Sequence, residues 1–62
     1  MILLHLKSGS DILLNPKYIF YIHKREDYTY VQYVNEHASR DLEVKETPEE
    51  IQKILNKFYF PF

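Results

Sequence analysis

Short segments rich in apolar, β-branched and aromatic residues divide the chain, and polar turns or loops separate them. The segments are residues 2–6, 11–14, 18–23, 28–34 and 41–46. Their length and composition are typical of β-strands. Ser8-Gly9-Ser10 supplies a turn that tolerates positive φ, and Asn15-Pro16 interrupts the second segment because proline has no N–H for a strand ladder. The pattern therefore predicts five short strands in an antiparallel arrangement.

One helix is predicted after the fifth strand. Thr47 is the N-cap, Pro48 takes the first helical position and Glu50 lies three residues after the cap, which together form a capping box. The apolar residues that follow with helical spacing are Ile51, Ile54, Leu55 and Phe58. A helix of about eleven residues is unstable alone in water, so this stripe must pack on the sheet. We predict an α+β fold: a small antiparallel β-sheet of about five short strands with one C-terminal α-helix packed on one face.

The length and composition limit how such a fold is stabilised. Sixty-two residues form a single domain, residues 1–62, whose core supplies only about 3–5 kcal/mol. The chain has no cysteine, so disulfides and thiolate metal sites are excluded. It has six tyrosines and four phenylalanines, which is more aromatic surface than one small core hides. Self-association is the expected reinforcement, and we predict a homo-oligomer.

Side chains alternate along a strand, so each strand contributes to two faces. One consistent assignment places the following residues inward: Ile2, Leu4, Leu6, Ile12, Leu14, Val31, Leu42 and Val44. The third strand offers two alternations, which are Tyr18/Phe20/Ile22 and Ile19/Tyr21/His23. Whichever set points inward, the other leaves apolar or aromatic side chains outside. The middle of the sheet is therefore expected to expose aromatic residues on its outer face.

This outer patch is predicted to be a binding surface, because large exposed apolar patches mark interfaces. The candidate partner-binding residues are Tyr21, Tyr28, Tyr30, Phe60 and Phe62. The last two belong to an aromatic tail, residues 58–62, which either covers an open end of the core or reaches into a neighbouring subunit. Self-association is the favoured use of the patch, ahead of a different protein partner and of nucleic acid.

No catalytic, metal or cofactor site is predicted. The three histidines, His5, His23 and His37, lack the close spacing of simple metal-binding motifs. The adjacent acids Glu49-Glu50 are explained by the helix start, and no segment builds a cleft for an acid–base pair. The serines lie in turns without a nucleophile elbow. We therefore expect a protein that is not an enzyme and holds no cofactor.

The net charge of −1 disfavours nucleic acid as a partner, because nucleic-acid-binding domains are typically basic. The tyrosines of residues 28–33 do have the spacing of a base-stacking platform, but only Lys24 and Arg25 lie nearby, offset by two acids. A small nucleic-acid-associated regulator, phage- or operon-encoded, is therefore the alternative function. No apolar run approaches the ~20 residues of a membrane span, and the N-terminus lacks a signal-peptide pattern, so a cytoplasmic location is expected.

The order of these segments resembles the FlbD/SwrD-type small flagellar proteins over about residues 2–55. The matching parts are the apolar first strand, the turn Ser8-Gly9-Ser10, the segment Ile12-Leu13-Leu14-Asn15-Pro16, Ile19 and Ile22, Thr29 and Val31, and the junction Val44-Lys45-Glu46-Thr47 with Glu49-Glu50-Ile51 and Ile54. The chain departs from the family pattern in the loop of residues 35–40 and in the aromatic tail. The resemblance implies a non-enzymatic bacterial accessory protein in flagellar function or motility, with a flagellar component as a partner. It implies no catalytic residue.

Overall fold

The computed structural model describes residues 1–59, with side chains as far as residue 57, and has the predicted α+β fold. The elements are β1 (Ile2–His5), β2 (Asp11–Leu14), a short 3₁₀ helix (Pro16–Tyr18), β3 (Ile19–Lys24), β4 (Thr29–Val34), β5 (Ser39–Val44) and α1 (Pro48–Tyr59). Five antiparallel strands and one C-terminal helix are thus confirmed, with most strand bounds moved by one or two residues. The side chain of Phe58, and the whole of Phe60 and Phe62, lie outside the described residues.

The strands form two sheets that meet at one point. β1 and β2 make a hairpin, and β3, β4 and β5 make a three-stranded sheet in sequence order. The two are joined by a bridge between Leu6 and Val44. Backbone hydrogen bonds of 2.8 Å flank the bridge, from Lys7 N–H to the carbonyl of Glu43 and from Lys45 N–H to the carbonyl of His5. The end of β1 is therefore fixed to the end of β5.

One core lies between the sheets and the helix. Its buried side chains are Ile2, Leu4, Leu14, Val31, Leu42, Val44 and Ile51. Leu6 and Ile12 are partly buried against it, so the whole inward set predicted from the alternation is confirmed. Ile54 and Leu55 extend the contact along α1.

The helix begins with the predicted capping box. The Thr47 hydroxyl accepts a hydrogen bond from Glu50 N–H at 3.1 Å, and the Glu50 carboxylate accepts one from Thr47 N–H at 2.9 Å. The first backbone bond of the helix runs from Ile51 N–H to the Thr47 carbonyl. The reciprocal bonds satisfy two backbone groups that a helix end leaves unpaired. They also place Ile51 in the core at the first turn.

Neither predicted alternation of β3 is correct, because the strand contains a β-bulge. Ile19 pairs with Tyr33 while Tyr21 pairs with Gln32, so Phe20 is an extra residue opposite a single step of β4. The bulge shifts the phase of the alternation. As a result Ile19 and Ile22 both pack against the core, three positions apart, whereas Phe20 and Tyr21 are both exposed.

The turns follow the predicted residues. Gly9 has a φ of 105° and its N–H donates to the carbonyl of Leu6, so it occupies a backbone region that other residues adopt only with strain. Asn15 caps the short 3₁₀ helix by accepting a hydrogen bond from Lys17 N–H. Tyr18 belongs to that helix and not, as the sequence predicts, to the third strand.

A candidate protein-interaction face

The outer side of the three-stranded sheet carries two of the predicted partner-binding tyrosines, Tyr21 and Tyr30. Val31, Leu42 and Val44 point into the core, so their strand neighbours point outward. The outward side chains lie in two rows across the strands: Tyr21, Gln32 and Asp41 form one, and His23, Tyr30 and Glu43 form the other. Together these six side chains form the aromatic face.

The rings on the aromatic face pack against one another. Tyr21 and His23 are stacked, with ring centroids 6.0 Å apart and planes within 11°. Tyr21 and Tyr30 meet edge to face, also with centroids 6.0 Å apart and with an interplanar angle of 63°. Such contacts hold aromatic side chains in fixed positions although Tyr21 is 47% exposed. The face therefore presents ordered rings to its surroundings.

Tyr30 is the most firmly held of these rings. Its hydroxyl donates a hydrogen bond to the Asp41 carboxylate at 2.8 Å, and the Arg25 guanidinium carbon lies 5.8 Å from its ring centroid. The hydrogen bond to Asp41 raises the pKa of Tyr30 above its ordinary value of 10.0, because ionisation would break the bond and set two negative charges side by side. At physiological pH, Tyr30 is therefore a neutral donor committed to Asp41.

An open groove of about 510 Å³ lies at one end of the aromatic face. Its lining includes Lys7, Arg25, Tyr28, Tyr30, Asp41 and Glu43. The Lys7 ammonium sits 4.9 Å from the centroid of the Tyr28 ring and forms a salt bridge of 3.2 Å with Asp27. The groove thus combines two cations, two carboxylates and two aromatic rings, and charges of neither sign dominate it.

The structure brings together two of the five predicted partner-binding residues. Tyr21 and Tyr30 lie in ring contact on the aromatic face. Tyr28 precedes β4, is only partly exposed and lines the groove under Lys7. Phe60 and Phe62 belong to the part of the chain that the structure does not describe.

A second exposed apolar pair lies on the outer side of the hairpin. Leu3 and Leu13 are directly opposite each other in the β1–β2 ladder and are 46% and 61% exposed. The uninterrupted apolar runs of both strands were the available signal, because in a strand every second residue of such a run must point away from the core.

A charged cluster fixes the hairpin to the β5–α1 junction. The Glu46 carboxylate accepts hydrogen bonds from the His5 backbone N–H at 2.9 Å and meets the His5 ring nitrogen Nδ1 at 2.5 Å. Asp11 lies 3.6 Å from the other ring nitrogen. His5 is thus held between two carboxylates, a role that a separation of 41 positions concealed in the sequence.

The contact shifts the pKa values of both partners. The hydrogen bond to Glu46 raises the pKa of His5 above its ordinary 6.5, although reduced solvation acts against it. Burial acts to raise the pKa of Glu46, but the backbone and ring hydrogen bonds from His5 outweigh this effect and lower it below 4.5. The charged pair is therefore favoured between about pH 4.5 and pH 6.5.

Two further findings concern metal binding and membrane crossing by the described residues. In residues 1–59, no group of three or more His, Asp or Glu side chains is arranged to hold a metal ion. None of the helices in that part of the chain has the length and apolar character needed to cross a membrane.

Comparison with known proteins adds no relative. No protein-family model, no curated protein and no solved structure matches the chain significantly.

Proposed function

We propose that this protein is a non-enzymatic accessory protein that acts through protein–protein contacts made by the aromatic face. The observation that carries the proposal is the ordered cluster of Tyr21, His23 and Tyr30 on an exposed sheet face. Tyrosines enter interfaces readily because they bring large contact area with little rotamer freedom to lose. In this cluster, ring packing and the bond to Asp41 have already restricted that freedom.

The composition of the face supports a protein partner over a nucleic acid. A base-stacking surface needs a surrounding of cations that follow the phosphate backbone. Here Asp41 and Glu43 form one whole side of the face, and they would repel phosphates. A protein surface with hydrogen-bond donors opposite these carboxylates fits better.

The proposed setting comes from the family resemblance. The strand-to-helix junction at Thr47 and the Asn15-Pro16 turn, which resemble FlbD/SwrD-type proteins, form the capping box and the capped 3₁₀ helix of this structure. We place the protein in the bacterial cytoplasm, with a role in flagellar function or motility and a flagellar component as its partner. The small nucleic-acid-associated regulator is the competing proposal.

The test is capture from a lysate of the protein's own host, followed by identification of bound molecules. The informative variant is Tyr21→Ser/Tyr30→Ser, which removes both rings without touching the core. Its matched control is Leu3→Ser/Leu13→Ser, which removes two exposed apolar side chains from the other sheet. We expect the wild type and the control to retain flagellar components and the tyrosine variant to lose them.

Two results would overturn the proposal. If all three proteins retain the same partners, the aromatic face is not the contact surface. If the wild type retains nucleic acid, and its binding weakens steeply with added salt, the regulator is the correct function, because phosphate contacts release counterions.

A further inference from the structure

The aromatic face has donors on one side and acceptors on the other. On β3, the rings of Tyr21 and His23 supply a hydroxyl and ring nitrogens that have no hydrogen-bond partner within the described residues, and Arg25 adds a cation just beyond the strand. On β5, Asp41 and Glu43 are carboxylates, and among the described side chains none binds that of Glu43. Between them, β4 contributes Tyr30 and Gln32.

This gradient makes the face complementary to itself in one orientation. If a two-fold axis runs parallel to β4 above the sheet, β3 of each copy lies over β5 of the other while the two rows stay in register. His23 then faces Glu43 of the second copy, and Tyr21 faces Asp41 of the second copy. Tyr30 and Gln32 meet their own equivalents, a ring against a ring and an amide against an amide.

The other two-fold arrangement is unfavourable. An axis across the strands would place β5 over β5 and exchange the rows, so that Asp41 of one copy faced Glu43 of the other. Two pairs of carboxylates would then be desolvated against each other, which disfavours the contact strongly. Of these two axes, the charge pattern therefore favours the one parallel to β4, in which sheets pack face to face with aligned strands.

We infer that the aromatic face binds a second copy of this chain about a two-fold axis parallel to β4, with His23 of each copy paired to Glu43 of the other. The inference rests on the proposed function, because it concerns the same face, which the second copy occupies reversibly when the proposed flagellar partner is absent. It also gives Glu43 the partner that its own chain does not supply within the described residues.

The size of the face makes this dimer weak. Strands of six residues at ~3.3 Å each and three strands at ~4.8 Å spacing give a face of roughly 20 by 14 Å. That area is well below the ~800 Å² that each partner buries in a standard interface. We therefore expect a reversible dimer that dissociates on dilution and whose formation depends strongly on individual charge pairs.

The test is the molar mass of the full chain by sedimentation equilibrium from micromolar to millimolar concentration. We expect the wild-type mass to rise towards that of a dimer. Glu43→Lys alone and His23→Glu alone should each weaken association about tenfold or more, because each sets like charges or two donors face to face. Far-UV circular dichroism of each dilute variant checks that the monomer is folded.

The decisive sample is an equimolar mixture of Glu43→Lys and His23→Glu. In a mixed dimer, one substituted pair joins the new carboxylate to the new ammonium and the other pair is native, so association should return to at least the wild-type level. Within one monomer, His23 and Glu43 lie two strands apart, at about 10 Å, so they do not pair with each other. The two substitutions are also on different chains, so restored association reports a contact between copies.

Several outcomes would overturn the inference. A wild-type chain that stays monomeric at all concentrations excludes the dimer but leaves the proposed function standing if capture still depends on Tyr21 and Tyr30. Stronger association of Glu43→Lys would indicate the axis across the strands. A dimer that is insensitive to both charge changes would use another surface, such as the open edge of β3.

Discussion

The two sheets of this molecule share one core but present different outer faces. The hairpin exposes Leu3 and Leu13, two aliphatic side chains that pair across the strands without any directional group. The three-stranded sheet exposes rings in defined mutual orientation, with a hydroxyl bonded to a carboxylate. Both faces therefore expose apolar atoms, but they differ in what a partner could recognise. The hairpin offers apolar contact area alone, whereas the three-stranded sheet offers contact area together with a fixed pattern of hydrogen-bond donors and acceptors.

The sheets differ also in how they are held. A two-stranded hairpin is marginal by itself in water. The hairpin here depends on its buried residues, such as Leu4, and on its attachments to β5 and Glu46. The three-stranded sheet pairs over the full length of its strands. Two kinds of substitution test this difference. One compares a buried with an exposed residue of the same sheet, and the other compares residues of the two sheets.

The largest effect is expected from neighbouring leucines of β1. Leu4 is fully buried, and Leu4→Ala should cost about 2–5 kcal/mol, which is comparable to the total stability of about 3–5 kcal/mol for a domain of this size. Leu3→Ala is the matched control on the outer side and should cost less than about 1 kcal/mol. Urea unfolding at low protein concentration measures both. Equal losses would show that the outer leucine pair also supports the fold.

A smaller effect is expected from the attachment of the hairpin at Glu46. Glu46→Gln keeps the side-chain shape but removes the charge-assisted contact with His5, and should lower the free energy of unfolding near pH 6 by less than Leu4→Ala does. Glu43→Gln, which removes an exposed acid of β5, is the control for loss of one negative charge when both variants are measured as dilute monomers. Indistinguishable unfolding curves for the two variants would show that the cluster does not stabilise the hairpin.

The same contact makes stability depend on pH. Because the pKa of His5 is raised on folding, its contribution is complete below pH 6.5 and is lost as the pH rises through the raised value. Because the pKa of Glu46 is lowered, its contribution is complete above pH 4.5 and is lost as the pH falls through the lowered value. Wild-type stability should therefore decline from pH 6.5 upwards, and Glu46→Gln should weaken that decline.

The smallest effect is expected on the aromatic face, where interactions order side chains more than they stabilise the fold. Tyr30→Phe removes the hydrogen bond to Asp41 and keeps the ring, so the melting temperature of the dilute monomer should fall less than in Glu46→Gln. Tyr21→Phe is the control, because the Tyr21 hydroxyl has no hydrogen bond within the described residues, and it should change nothing. A loss in Tyr30→Phe as large as that in Leu4→Ala would contradict this ranking.

Sequence patterns predicted the parts of the fold that depend on interactions between residues close together in the chain. The capping box of Thr47 and Glu50 is recognisable because its two hydrogen bonds join residues three positions apart. The alternation in β4 and β5 identified Val31, Leu42 and Val44 as core residues, because these strands are regular.

The rest depends on relations that a linear pattern does not contain. The bulge at Phe20 adds one residue to β3, and alternation by itself cannot show where such an insertion lies. The contact of His5 with Glu46 requires β1 to reach the end of β5. In the structure β5 ends at Val44, before the predicted Glu46, whose side chain binds His5. On the candidate site, the sequence identified Tyr21 and Tyr30 but not their contacts with His23 and Asp41.

The junction between residues 5–7 and 43–46 also sets the order in which the molecule can assemble. Every strand pair within the two sheets closes across a loop of a few residues, whereas the contact of His5 with Glu46 closes a segment of 41 positions. Leu4 therefore stays in contact with water until β5 and the first turn of α1 have packed against the hairpin, because Val44 and Ile51 complete the core around it. We therefore expect the domain to gain its stability in one late step rather than strand by strand.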